Sequence, residues 1–251
     1  PVAALDLVSY SINPQVHAFD NASLMETLPT QAATVQSARQ FCGGLPLAIS
    51  PITLKPRFNP AATGPILAPR PDELPSQVDA RQMSLFGAAW TAGSLKYIAE
   101  SGLYSVTYYE TTGWRGVMEC ESGSPLPEVF RSLPGAVFPL YHVLADAAEF
   151  AGSEVLPTGS SDSLCVEGLA LRREGCTRII VANLTAEPKL VTLCNVGQRV
   201  QARFLDERNA EEAMCTPEAF RAEPGEFMST DGSALTLNLL PYAVARLDSS
   251  L

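Results

Sequence analysis

The sequence is short of positive charge. Its 251 residues include 17 Lys and Arg against 27 Asp and Glu, which gives a formal net charge of −10 at pH 7. Proteins that bind nucleic acid or an anionic membrane surface by charge need a basic patch. The acidic balance therefore predicts no nucleic-acid partner and no membrane partner.

Histidine and recognisable catalytic motifs are also scarce. The chain has 2 histidines, and no three potential metal ligands lie close together along it. It contains no HExxH motif, no glycine-rich phosphate loop and no nucleophile elbow. The sequence therefore predicts no metal site and no cofactor.

Long apolar runs and paired cysteines are absent too. No run reaches the length of a membrane span, and the first residues lack the basic start of a signal peptide. The six cysteines are widely spaced with no CxxC pair, which favours reduced thiols in a cytoplasmic protein. Disulfides in a secreted protein, with glycosylation at Asn21 and Asn183, are the alternative. Because an initiator methionine is missing as well, we expect a processed or truncated piece of a longer protein.

What the chain does contain is enough apolar residues for a sizeable core, at 46% hydrophobic and 18% charged. Residues 1–152 alternate strand-like and helix-like runs, with strands predicted at ALDLVSYSI, LPLAISPITL and LYSVTYYE. Alternation of this kind is typical of a parallel sheet. We predict an α/β domain made of the closing units of a (β/α)8 (TIM-type) barrel, that is, its C-terminal part.

Residues 153–251 have a different pattern. Short runs of alternating apolar and polar residues are separated by polar turns, as in TRIIVANLT and ALTLNLLP. This spacing is typical of an antiparallel β-sandwich. The predicted fold class is therefore α/β plus all-β, with the domain boundary near residue 152.

Several local features carry their own predictions. Pro29 interrupts a helical spacing and has to kink or restart the helix. Asp79 precedes a helical run and is expected to cap it. His142 lies within the helical run PLYHVLADAAEF, where we expect a hydrogen-bonded histidine on a helix face. A proline-rich connection of some 20 residues between Pro56 and Pro75 is long enough to suggest a functional loop.

The active site of a parallel barrel gathers at the carboxyl ends of its strands. That rule selects residues 9–21, 53–60 and 107–116, which follow the three predicted strands. All three stretches are rich in polar and aromatic side chains, so we expect them to form one rim.

Glu110 is the first candidate on this rim, because it ends the third predicted strand. It could act as a base, a nucleophile or a ligand for substrate hydroxyls. Trp114 would then give an apolar platform for a sugar ring, with Tyr108 and Tyr109 close by. The alternative is a structural carboxylate paired with Arg57 or Arg115.

The other two strand ends add weaker candidates. His17 could serve as a base near neutral pH or could be a packed loop histidine. Asp20 could contact substrate or cap the following helix, and Asn13, which precedes a proline, could contact substrate or start a turn. Lys55, with Arg57 close by, could hold a carboxylate or polarise a carbonyl, or the two could be solvated.

Four stretches, SINPQVHAFDNASLMETL, ISPITLKPRFNP, FGAAWTAGSLKYIAESG and SVTYYETTGWRG, together resemble the D-apionate lactonase family of sugar-acid lactonases. That family looks related to the clan A glycoside hydrolases. The resemblance implies a (β/α)8 barrel with a β-sandwich, and a hydrolase that opens a sugar-derived lactone with an activated water.

The sequence departs from the clan A pattern at one strand end. If the chain begins near strand six, strand seven ends in Lys55 where those glycosidases place a nucleophilic carboxylate. A retaining glycosidase needs two carboxyl groups about 5 Å apart, and Glu110 is the one offered at the rim. The pattern favours lactone hydrolysis over O-glycoside hydrolysis. A non-catalytic carbohydrate-binding protein is the alternative of another class.

Lactone opening needs a water-activating base and a stabiliser for the oxyanion. Glu110 or His17 could activate the water, while Lys55, Arg57 or a tyrosine hydroxyl could stabilise the oxyanion and hold the carboxylate product. The first barrel strands would have to come from a missing N-terminal part or from a second chain, because an open parallel edge is a liability.

Overall fold

A computed structural model of the chain describes residues 4–58, 63–64 and 68–250. The long predicted loop includes residues 59–62 and 65–67, which lie outside the described residues, as does the end of the second predicted rim stretch.

The N-terminal half is built on a parallel sheet with the strand order β1-β2-β3. Helices connect the strands in alternation, as the hydrophobic spacing predicts, and a fourth α-helix follows β3. In chain order the elements are β1 (Val8–Ile12), α1 (Asn21–Glu26), α2 (Thr30–Arg39), β2 (Leu47–Ile52), a 3-10 turn (Ala80–Met83), α3 (Leu85–Glu100), β3 (Ser105–Tyr108) and α4 (Pro139–Ala148).

The predicted helix interruption is confirmed as a restart. α1 ends at Glu26, and Pro29 is the N-cap residue of α2, where its missing N–H costs no hydrogen bond. The Asp79 cap is also confirmed, because its side chain accepts a hydrogen bond from the backbone N–H of Arg81 at 3.0 Å.

The two faces of the parallel sheet differ in composition. Tyr10 and Tyr108 point towards the helices, since their hydroxyls lie 3.2 Å from Thr34 of α2 and 2.7 Å from Ser94 of α3. The opposite face is exposed and made mostly of small polar residues, namely Ser9, Ser11, Ser50, Ser105 and Thr107. Parallel sheets are normally covered on both faces, so this polar face is unusual.

The C-terminal half is antiparallel, as predicted. A six-stranded sheet has the order β4-β5-β6-β11-β8-β9, and a two-stranded sheet pairs β10 with β7. The elements are β4 (Glu154–Leu156), β5 (Val166–Arg173), β6 (Cys176–Asn183), β7 (Lys189–Leu193), β8 (Arg199–Leu205), α5 (Ala210–Cys215), α6 (Pro217–Ala222), β9 (Glu226–Ser229), β10 (Leu235–Leu239) and β11 (Val244–Ser250).

The six-stranded sheet has apolar residues on both faces. On one face Val181 and Leu247 belong to the same buried cluster as Leu237 of β10. On the other face Ile180 and Val244 belong to the large core that contains α3 and α4. The barrel-type half and the sandwich therefore share a core, and α3 and α4 lie between the parallel sheet and the six-stranded antiparallel sheet.

A buried ionic layer reinforces this junction. Asp146 of α4, with 5% of its surface exposed, accepts a hydrogen bond from Arg203 of β8 at 2.6 Å and forms an ion pair with Arg221 of α6 at 2.9 Å. Arg246 of β11 approaches the same carboxylate at 3.6 Å. At Glu149, the C-cap residue of α4, burial opposes ionisation, but hydrogen bonds from Arg178 and Arg221 outweigh it and lower the pKa of Glu149 to about 2.

His142 is a buried helix-face histidine, as predicted. Its Nε2 lies 2.9 Å from the Ala213 carbonyl, and its ring packs edge-on against Phe220. Burial lowers the pKa of His142 to about 4. The imidazole is therefore neutral at physiological pH and serves the contact between α4 and the helices that follow β8.

Within residues 4–58, 63–64 and 68–250, no helix is both long and apolar enough to cross a membrane. The same residues contain no group of three His, Cys, Asp or Glu side chains placed to hold a metal ion.

Candidate functional site

Two side-chain contacts join the three strand ends that the sequence singled out. The Lys55 ammonium, after β2, lies 5.4 Å from the centre of the Phe19 ring, after β1. Arg57 Nη2 lies 3.3 Å from Glu110 Oε1, after β3. The polar strand ends therefore form a continuous rim, as expected for the carboxyl edge of a parallel sheet.

Glu110 lies between two guanidinium groups. Its Oε1 is 3.3 Å from Arg57 and 3.1 Å from Arg115, and its backbone N–H donates to the Arg115 carbonyl at 2.8 Å. The Glu110 side chain keeps 36% of its surface exposed. The ion pairs that the sequence offered as an alternative are therefore present, and they hold the carboxylate in place while leaving part of it accessible.

Arg57 retains hydrogen-bonding capacity. Its Nε and Nη2 atoms are buried without a hydrogen-bond partner in the described part of the chain. The 3.3 Å contact with Glu110 is thus an ion pair by distance that lacks the angles of a hydrogen bond. Buried donors of this kind are costly unless a ligand or water satisfies them.

A cavity of about 430 Å³ opens next to Glu110. Its walls come from the end of the proline-rich connection and from the loop after β3. The lining residues are Pro75, Gln77, Val78, Glu110, Gly113, Trp114, Arg115, Glu119, Cys120 and Pro125. The volume lies within the range typical of small-molecule sites.

Trp114 forms an apolar part of the cavity wall. Its indole N–H donates to Ser124 Oγ at 2.8 Å, and its ring packs against Phe130 with centroids 6.3 Å apart. These contacts fix the ring orientation while the residue still lines the cavity. A fixed ring of this kind suits the predicted role as a platform for a sugar.

Tyr108 and Tyr109 do not line this cavity. Their hydroxyls lie 2.7 Å from Ser94 and 2.7 Å from Thr91, both on α3. Burial raises the pKa of both phenols. Tyr109 adopts a positive φ of 55°, which lets two successive side chains turn towards the same helix.

The residues after β1 lie apart from the cavity wall. Asp20 caps α1 by accepting from the Ser23 N–H at 2.9 Å and the Ser23 hydroxyl at 2.7 Å, and these hydrogen bonds lower its pKa. The Asn13 side chain donates to the Gln15 carbonyl at 2.9 Å, which closes a turn. His17 is exposed on the same segment.

The loop after β3, which lines the cavity, is held in place from the protein interior by contacts that were not predicted from the sequence. Gln82, buried beneath it, donates to the Gly116 carbonyl at 2.6 Å. Gly116 has no room for a side chain, because an added Cβ would lie 2.7 Å from the Thr111 carbonyl oxygen. Nothing in the local sequence marks Gln82, since its partner is 34 residues away.

Two residues that line the cavity, Glu119 and Cys120, were not predicted from the sequence either. Glu119 is 1% exposed, and its carboxylate accepts the Cys120 N–H at 2.8 Å and the Ser132 hydroxyl. A single Glu in a turn-rich loop carries no sequence signal, so this position could be found only from the structure.

Comparisons with known proteins agree with this architecture. Residues 1–152 match the profile described as D-apionate lactonase, TIM barrel domain, and residues 163–247 match D-apionate lactonase, C-terminal immunoglobulin-like domain. A curated D-apionate lactonase from Brucella anthropi is 27% identical over 199 residues, which are 79% of this chain and 31% of that protein. The chain thus spans about a third of the length of that relative.

Solved structures share the fold at low sequence identity. A bifunctional glucanase-xylanase, CelM2, from a metagenome library superposes with a TM-score of 0.62 at 13% identity, covering 98% of this chain and 44% of the other. A family 44 endoglucanase from Clostridium acetobutylium gives 0.59 at 12%, covering 98% and 47%. A family 39 β-xylosidase from Caulobacter crescentus gives 0.54 at 14%, covering 99% and 52%.

The predicted fold class is therefore confirmed as barrel-type β/α units followed by an immunoglobulin-like sandwich. The parallel sheet with its helices corresponds to the first matching profile, and most of the antiparallel strands correspond to the second. The chain belongs to the D-apionate lactonase family.

Proposed function

We propose that the chain forms part of the active site of a hydrolase that opens sugar-acid lactones, and that the cavity beside Glu110 binds the lactone. The observation that carries the proposal is the position of Glu110, which is partly exposed, lines a cavity of about 430 Å³ and lies between Arg57 and Arg115. The family membership supports the reaction class, and the structure supports the location.

The geometry suggests how the reaction would proceed. Glu110 takes a proton from a water molecule as the water oxygen attacks the lactone carbonyl carbon. Arg115, which lines the cavity, donates to the oxyanion that forms, and Arg57, which lies 3.3 Å from Glu110 but does not line the cavity, adds positive charge behind it. The ring C–O bond then breaks, the leaving oxygen takes the proton from Glu110, and the new carboxyl group loses its own proton to solvent.

After ring opening the same guanidinium groups hold the product. The product is a carboxylate, and arginine recognises carboxylates by charge and by paired hydrogen bonds. Lys55 extends the cationic rim towards β1, where its ammonium lies over Phe19. His17 stays a candidate second base because of its exposed position on the neighbouring segment.

O-glycoside hydrolysis is a second candidate, because the cavity contains two carboxylates, Glu110 and Glu119. Both oxygens of Glu119 already accept hydrogen bonds from the protein, which is less suitable for a nucleophile. The cavity also fits the third predicted class, a non-catalytic carbohydrate-binding protein that uses Trp114 and Glu110 for binding alone.

A panel of substrates separates the three functions. The protein is incubated with aldonolactones and with aryl glycosides, while acid release and chromophore release are followed. We expect acid release from one or more lactones above the uncatalysed rate. Release of chromophore alone would establish a glycosidase, and binding without turnover of any substrate would establish a binding protein.

We also propose that further barrel strands complete the site, from the same protein or from a second chain. The exposed serine-rich face of the parallel sheet supports this, because parallel sheets normally have both faces covered by other parts of the protein. A cytoplasmic location is proposed from the six free cysteines, which suit a reducing compartment. Intact-mass and size-exclusion measurements on the native protein would test the first point.

A further inference from the structure

Glu119 differs from the other buried carboxylates of this chain. Five Asp and Glu side chains are buried among the described residues. Four of them have an Arg or Lys partner, in the pairs Asp79–Arg81 at 2.7 Å, Asp146–Arg203 at 2.6 Å, Glu167–Lys96 at 3.5 Å and Asp206–Arg208 at 2.6 Å. Glu119 has none, although every Lys and Arg of the chain lies within the described ranges.

The surroundings of Glu119 do not require a charge. The carboxylate accepts one backbone N–H, from Cys120, and one hydroxyl, from Ser132. A glutamine could accept the Cys120 N–H with its amide oxygen and donate its amide N–H to the Ser132 hydroxyl, which can accept as well as donate. Neither contact therefore needs the desolvation cost of a buried anion. Bracing the loop is thus an incomplete explanation for a glutamate at this position.

The location of Glu119 supplies the missing explanation. It is the buried carboxylate that lines the cavity, together with Glu110, Arg115 and Trp114. A carboxylate has about four lone-pair positions, and two of them are used by Cys120 and Ser132. The remaining positions can accept hydrogen bonds from a molecule in the cavity, and charge-assisted bonds of this kind are stronger than neutral ones.

We propose that Glu119 is a specificity residue that binds one or two hydroxyl groups of a polyhydroxylated ligand in the cavity. The proposal deepens the proposed function and rests on it for the class of ligand. Glu119 would select sugar acids that carry a hydroxyl at the matching carbon, while Glu110 and the arginines act on the carboxyl end. Its fixed position suits selection, because Cys120 and Ser132 hold both oxygens.

The test measures binding rather than turnover, so it does not depend on lactone hydrolysis. Calorimetric titrations with the sodium salt of a five-carbon aldonate and its monodeoxy analogues are carried out on the wild-type protein and on Glu119→Gln. The matched control is Glu128→Gln, which changes an exposed carboxylate outside the cavity. Thermal unfolding of each variant is recorded alongside.

We expect one monodeoxy analogue to bind the wild type roughly tenfold or more weakly than the parent aldonate, since a hydrogen bond to a charged group is lost. Glu119→Gln should bind the parent roughly tenfold more weakly and should no longer distinguish the two ligands. Glu128→Gln should behave as the wild type.

Three results would overturn the proposal. One is unchanged affinity of Glu119→Gln with a lowered unfolding temperature, which would mean that Glu119 only braces the loop. The second is a wild type that binds every monodeoxy analogue as tightly as the parent, and this result needs no variant that folds. The third is absence of aldonate binding by the wild type. Aldonate binding with the expected discrimination but no lactone turnover would support Glu119 while refuting the proposed reaction.

Discussion

Replacing Asp146 by Asn should strongly destabilise the junction between the two halves of the chain. The substitution keeps the shape of the side chain but removes the negative charge that Arg203, Arg221 and Arg246 approach at 2.6, 2.9 and 3.6 Å. Asp146 is only 5% exposed, so water cannot replace the lost charge. Removing one partner of a buried ion pair costs about 3–5 kcal/mol.

The loss should appear in both chemical and thermal unfolding. For a chain of this size each kcal/mol shifts the unfolding midpoint by about 2–4 °C, so Asp146→Asn should unfold roughly 6–20 °C lower. The control is Asp231→Asn, which changes an exposed aspartate of the sandwich. A loss below about 1 kcal/mol for Asp146→Asn would refute the ionic layer as a determinant of stability.

Three further predictions follow from single side chains. Burial lowers the pKa of His142 from 6.5 to about 4, so between these pH values the unfolded chain binds a proton at His142 and the folded chain does not. The free energy of unfolding should therefore fall by about 3 kcal/mol as the pH drops through that window. In urea titrations at several pH values, His142→Gln should reduce this pH dependence of the free energy of unfolding. Leu237→Ala, at a site 1% exposed between the two sandwich sheets, should cost about 2–5 kcal/mol in the same assay. Gly116→Ala places a Cβ 2.7 Å from the Thr111 carbonyl oxygen, so it should weaken aldonate binding and lower the free energy of unfolding by about 1–3 kcal/mol. Wild-type affinity together with wild-type stability would refute the close contact.

The sequence predicted the elements that depend on local pattern. Apolar runs located β1, β2 and β3, and Pro29 located the break between α1 and α2. Asp20 was identified as either a cap or a site residue, and its bonds to Ser23 show the cap. These features depend on neighbours within a few residues, which a single sequence displays.

Features that depend on distant neighbours were not predictable in the same way. The positive φ of Tyr109 turns its side chain towards α3, so its hydroxyl meets Thr91 rather than the cavity. The short strands β4 and β9 have few residues to show a pattern, and they exist because β5 and β8 pair with them. That no Lys or Arg lies beside Glu119 becomes visible only in the folded protein, because it depends on which distant segments pack around the side chain.

The candidate site was predictable in outline. The rule for parallel barrels brought Glu110, Arg57 and Trp114 together as candidates, and the structure gives the first two an ion pair and places Trp114 beside Glu110 in one cavity wall. The rule for parallel barrels could not identify Gln77 and Val78, because these residues reach the cavity through an irregular connection with no periodic hydrophobic pattern.

The most direct test of the proposed function is the rate of lactone opening by Glu110→Gln. The amide keeps an oxygen for Arg57 and Arg115 but cannot take a proton from water. With saturating lactone, and after subtraction of the uncatalysed rate, acid release should fall by roughly 10²–10⁴-fold in kcat with little change in KM. Glu128→Gln should retain the wild-type rate, and a Glu110→Gln rate within about twofold of the wild type would contradict the role of Glu110 as the base.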